Sequence, residues 1–169
     1  MKKLLFIPLL ALAACVNVNK DDNGVEVKVG TDSKIRNNIQ LEEHGLKVEQ
    51  AFLLFEDGTL VPQNNETTVG KKILMRLILG DGFKERDGKV FPGASEVIET
   101  NTGEVALNEK DLFASYDSTG VSIKDAKFLT LSAIITKIDK LYDYFVVKFK
   151  IWDKNSTNYV SGSFKFYVK

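Results

Sequence analysis

The chain has 169 residues, 23 of them basic and 23 acidic, so its formal net charge is zero. That balance argues against nucleic acid, which demands a basic face, and it offers no polybasic patch to anionic lipid headgroups. Hydrophobic residues make up 44%, including eleven Phe and five Tyr, which is ample for one core; one cysteine and one histidine exclude a disulfide framework and a histidine-rich zinc site.

The first residues concern location. Lys2 and Lys3 are basic, Leu4 to Ala11 are almost all apolar, and small residues follow. This is the layout of a secretory signal peptide. The apolar run is shorter than the ~20 residues a membrane-spanning helix needs. Leu12-Ala13-Ala14-Cys15 resembles the lipobox of bacterial lipoproteins. That resemblance implies cleavage after Ala14, a diacylglycerol on the Cys15 thiol and an acylated amine, with palmitate among the chains expected. Each buried methylene contributes ~0.8 kcal/mol, so several acyl chains make a lasting membrane anchor. Loss of Lys2 and Lys3 leaves 21 basic against 23 acidic residues, a net charge of −2.

The same resemblance bears on the membrane. Val16 follows the cysteine, where Asp marks inner-membrane retention in the enteric version of the family, so the outer membrane of a Gram-negative bacterium is expected. Lys20-Asp21-Asp22 resembles the acidic tract that directs some such lipoproteins outward. The periplasmic face and the cell surface both stay open.

From Val16 to about Gly45 the chain is rich in Asn, Asp, Lys and Gly. The expected organisation is a signal peptide at 1–14, a lipid-anchored polar tether at 15–45 with a brief strand near Val25–Val29, and one domain at 46–169. Within that domain the hydrophobic period is two. Ile73 to Leu79 is apolar at nearly every position, as in a strand covered on both sides. Leu129, Leu131, Ala133 and Ile135 form one alternating set, Phe145, Val147, Phe149 and Ile151 a second, and Phe164, Phe166 and Val168 a third. In the last two the intervening lysines point outward, where they also guard against edge pairing.

Turn signals separate these runs at Asp57-Gly58, Gly70, Asp81-Gly82, Asp87-Gly88, Pro92-Gly93, Thr102-Gly103 and Thr119-Gly120. Helical signal is scarce: Asn108 is a candidate cap for a short turn through Phe113, and Ser122 for another near Asp125. Short strands with regular turns predict an all-β fold, an antiparallel immunoglobulin-like β-sandwich with at most one or two short helical turns.

Candidate sites are few. Asp81, Glu85 and Asp87 lie in GDGFKERDG, and loop carboxylates can hold calcium, but Lys84, Arg86 and Lys89 are interleaved and oppose a cation. A charged hairpin is the favoured reading, with no metal assigned. Asp153 to Asn158 starts like an EF-hand, yet its sixth position is Asn158 and its twelfth Phe164, so a polar hairpin loop fits better. His44 sits in the polar stretch Glu42-Glu43-His44-Gly45, reading as an exposed histidine at a domain edge. No phosphate loop is present, and no cofactor or enzymatic role is assigned. Tyr142, Tyr144, Trp152 and Tyr159 crowd the last third, and Tyr144 and Trp152 share one strand face by parity. Exposed together, such residues make a patch for sugars or proteins; otherwise Trp152 caps the core and the tyrosines cover sheet edges. Asp117-Ser118-Thr119 resembles a short O-glycosylation acceptor.

The expected function is a non-catalytic binding or assembly module of the cell envelope, with a protein or glycan partner. The alternatives are a purely structural part of an envelope complex, or a small calcium- or carbohydrate-binding domain.

Overall fold

The computed structural model describes residues 26–29, 34–138 and 141–169. Cys15 and its lipobox, Val16 and Lys20-Asp21-Asp22 lie outside the described residues.

Ten strands follow in chain order: β1 (Glu26–Val29), β2 (Gln40–His44), β3 (Val48–Phe55), β4 (Glu66–Thr67), β5 (Ile73–Leu79), β6 (Pro92–Thr100), β7 (Val105–Glu109), β8 (Phe128–Ala133), β9 (Phe145–Asp153) and β10 (Tyr159–Val168). They form a two-layer antiparallel sandwich. The larger sheet runs β1-β2-β10-β9-β6-β7, with β4 added in parallel to the end of β10, and the smaller runs β3-β5-β8. Among the described residues a 3-10 turn at Ala114–Tyr116 and one helix, α1 (Ile123–Ala126), are the helical pieces.

The core is built from the period-two sets. Leu53, Ile73, Met75, Leu77 and Leu131 of the smaller sheet meet Ile98, Val147, Ile151, Val160 and Phe166 of the larger, all buried. The outward residues of β5, Leu74, Arg76 and Ile78, are half-buried, so its second face is only partly covered.

Four expectations need correction. The domain begins before residue 46: Ile35, Ile39 and Leu41 are buried, and β2 pairs with β10. The polar residues of that stretch hid it. Asn37, fully buried with φ 59°, donates to Asn65 Oδ1 and the Val61 carbonyl, and its own Oδ1 accepts from Leu53 N–H. Asn65 Nδ2 donates to the Asn37 and Lys165 carbonyls, so the two asparagines satisfy the Leu53 N–H and the Val61, Asn37 and Lys165 carbonyls. Second, β9 and β10 are interior strands, so Lys148, Lys150 and Lys165 dress a face and guard no edge. Third, Pro92-Gly93 opens β6 and makes no turn. Fourth, the first helical turn falls at Ala114–Tyr116 without a side-chain cap, because Asn108 belongs to β7. Ser122 does cap α1, accepting from Asp125 N–H at 3.1 Å.

Candidate functional site

Register assembles the outer face of the larger sheet. Side chains directly opposite one another on adjacent strands lie within contact range. At one end the pairing His44↔Tyr159↔Trp152↔Gly93 makes a row across four strands. The next row is Glu42↔Ser161↔Lys150↔Ser95, and the third Gln40↔Ser163↔Lys148↔Val97. Small residues thus border large ones in the middle of the face.

The first row is tightly organised. His44 and Tyr159 stack with centroids 4.3 Å apart and planes 18° from parallel. Lys150 Nζ sits 4.0 Å from the Tyr159 centroid. A ring and an ammonium at those distances occupy opposite faces, so Tyr159 is covered on both sides. Trp152 lies over Gly93. A β-carbon there would fall 2.1 Å from Trp152 Cε2, so only glycine leaves room for the indole. Trp152 is half-buried, and among the described residues its indole N–H has no hydrogen-bond acceptor.

The four aromatic candidates do not form one patch. Tyr144 points to the same face as Trp152 but lies eight residues away, just before β9, about 26 Å at ~3.3 Å per residue. It packs edge-on against Tyr167, centroids 6.2 Å apart, beneath Lys165 Nζ. Tyr142 turns inward, packing on Phe145 at 5.4 Å and donating to Glu104 Oε2. The site therefore reduces to Trp152, Tyr159, His44 and Lys150. Sequence reading missed the last two and Gly93: His44 and Gly93 reach the site only because β2 and β6 pair with strands more than 50 residues distant in the chain, while Lys150 meets Tyr159 across the β9–β10 hairpin.

Two loops brace this end. The Asp153 carboxylate is buried, accepting from Lys84 N–H, Asn155 N–H and Ser156 Oγ at 2.8, 3.0 and 2.6 Å. Asn158 Nδ2 donates to the Gly82 carbonyl at 2.6 Å. The loop of residues 153–158 is thus a clasp on the 82–84 segment. Asp81 and Glu85 line one shallow hollow with Glu49 and Lys127, while Asp87 sits in the tight turn closed by Arg86 and Lys89. Among the described residues no group of three or more metal-ligating side chains is assembled. Asp117, Ser118 and Thr119 are exposed, and Lys154 binds both Asp117 and Asp111. Burial pushes the Asp111 carboxyl up, but hydrogen bonds from Lys154 and from the Phe113 and Ala94 N–H groups outweigh it, leaving it below its usual value.

No family model matches the chain, and no curated protein matches it. Nine chains of solved structures do match. One is the C-terminal domain of wzt, with a TM-score of 0.52 and 13% identity, covering 83% of this chain and 84% of that one. Likeness at that identity is a likeness of fold: the two chains share the β-sandwich over most of their length.

Glu96 is the other group that sequence reading passed over. It projects inward from β6 between Ala94 and Ile98 and is 2% exposed. Cross-strand it meets Phe149 on one side and Glu109 on the other. Burial raises its carboxyl to about 7.

Proposed function

We propose that this protein is a non-catalytic binding module of a Gram-negative cell envelope, held to the outer membrane by acyl chains on Cys15. Its contact region is the Trp152 end of the larger sheet's outer face, and its ligand there is a glycan. The observation that carries this reading is the half-buried indole lying over Gly93, its N–H without an acceptor among the described residues. An aromatic ring in that setting stacks on the apolar face of a sugar, and its N–H together with Ser95, Ser161 and Lys150 supplies hydrogen bonds to hydroxyls. Tethering raises the effective concentration of such a surface near its target, so weak contacts suffice.

Glycan-array binding by the full chain, followed by titration calorimetry on the best oligosaccharide, tests the site. Trp152→Ala abolishes binding with the fold retained, whereas Tyr144→Ala at the far end leaves affinity unchanged. Equal binding by Trp152→Ala and wild type, or no glycan bound at all, overturns the reading. A purely structural role in an envelope complex predicts that last result. Incorporation of labelled palmitate, lost in Cys15→Ser together with membrane partitioning, tests the anchor separately.

A further inference from the structure

The smaller sheet ends at β8, while the sheet it faces continues: β7 leaves Glu109 exposed and Leu107 only partly buried on the inward side. Antiparallel geometry decides which β8 groups are used. Leu79 N–H donates to the Lys127 carbonyl at 2.8 Å, and the same register runs on through Leu77↔Leu129, Met75↔Leu131 and Ile73↔Ala133. Hydrogen-bonded pairs alternate with non-bonded ones. Leu129, Leu131 and Ala133 therefore turn their N–H and C=O groups to β5. Phe128, Thr130 and Ser132 turn theirs away, to the side where no strand pairs with β8 among the described residues.

This edge lacks the usual defences. Phe128–Ala133 reads FLTLSA, with no charge and no proline, and its pairing with β5 has no bulge. The opposite edge of the same sheet is protected, since Ile35 bridges to Ala51 and Leu60 to Leu54 on β3. Beside the open edge lies a cleft of about 220 Å³, walled by Phe113, Tyr116, Phe128 and Pro92. Tyr116 is 44% exposed and Phe128 52%. Asp125 is the sole charged residue lining it among the described residues.

We propose that the β8 edge accepts an extended peptide of a protein partner as a fourth strand, and that the adjoining cleft takes a lysine or arginine side chain of that peptide. Main-chain hydrogen bonds to Phe128, Thr130 and Ser132 supply affinity, as in strand addition generally. The aromatic walls and the Asp125 carboxylate select a cation over an anion. A second copy of this chain is the poorer occupant. Its β8 reads FLTLSA, so a second copy paired edge to edge would bring no cation to Asp125. None of this depends on Trp152 or its surroundings.

The test uses the full chain in detergent and a fluorescein-labelled, end-blocked heptapeptide alternating threonine and valine around a central lysine. Fluorescence anisotropy should show saturable binding, weakened about tenfold by Asp125→Asn or by glutamate in place of the peptide lysine. Thr130→Pro removes an edge donor that β5 does not use and abolishes binding, with a thermal melt reporting that the variant is folded. N-methylating the peptide amides that face β8 abolishes binding without touching the protein, and methylating the alternate set spares it. Absence of saturable binding, or equal binding by both methylated peptides, overturns the proposal.

Discussion

Glu96 makes the stability of this sandwich depend on pH in an unusual direction. Its carboxyl is buried against Phe149 and opposite Glu109, and burial raises it from 4.5 to about 7. Below the unfolded value both states hold the proton, and Glu96 favours neither. As pH rises toward 7 the unfolded chain releases the proton while the folded chain keeps it, so stability falls. Above 7 the loss is complete. Raising the carboxyl from 4.5 to about 7 costs the folded state roughly 3 kcal/mol once both states are ionised. Glu96→Gln removes this titration but keeps the size and polarity of the side chain. Urea unfolding of both proteins at about pH 4.5 and about pH 8.5 isolates the effect, because every other carboxyl cancels in the difference. The variant should gain about 3 kcal/mol relative to wild type between the two pH values, a melting-temperature difference of roughly 10 °C for a chain of this size. A difference that stays constant within about 0.5 kcal/mol would refute the argument, since Glu96 would then titrate alike in both states.

Other substitutions separate face from core. Gly93→Val pushes the indole off the sheet, and because Trp152 is the one tryptophan, its emission should shift to the red as water reaches it. Asn37→Ala strands the Leu53 N–H and one Asn65 acceptor, and should lower the unfolding free energy by about 3 kcal/mol or more in urea titration. Phe166→Ala, in the centre of the core against Phe145, should cost about 3–5 kcal/mol. Trp152→Ala should cost clearly less by the same assay, since the ring it removes lies on the outer face.

What could be read from the sequence follows the range of the interactions involved. Alternation in Phe145–Ile151 and Phe164–Val168 is local, and it specified correctly which residues point into the core and that the fold is an all-β sandwich. The asparagine-rich start was misjudged because apolar residues there are sparse. Ile35, Ile39 and Leu41 are buried through a network that closes only when Asn65, 28 residues on, folds back to Asn37. Pro92-Gly93 reads as a turn from composition, yet Gly93 is needed for space, and what fills that space is Trp152 on another strand. Glu96 escaped notice because Ala94-Ser95-Glu96-Val97-Ile98 mixes polar and apolar residues on both parities, so the inward face cannot be chosen locally.

The same reasoning assigns different work to two kinds of exposed surface. Lysines at alternate positions look like edge protection, but β9 and β10 are flanked on both sides, so Lys148, Lys150 and Lys165 can only shape a face. There Lys148 is tied to Glu99 at 2.7 Å, and Lys150 and Lys165 rest on tyrosine rings, so each ammonium is held in place. A pinned cation beside a pinned indole presents fixed polar geometry with little ordering entropy left to lose, which favours a ligand with many weak hydroxyl contacts. β8 is the opposite case: an edge with no charge of its own, whose free groups are backbone and whose adjoining cleft is lined by the Asp125 carboxylate. Such an edge recognises an extended main chain first and a side chain second. Saturating one surface should therefore leave affinity at the other unchanged, and reciprocal competition between an oligosaccharide bound at Trp152 and a peptide bound at β8 would show that the two are not separate sites.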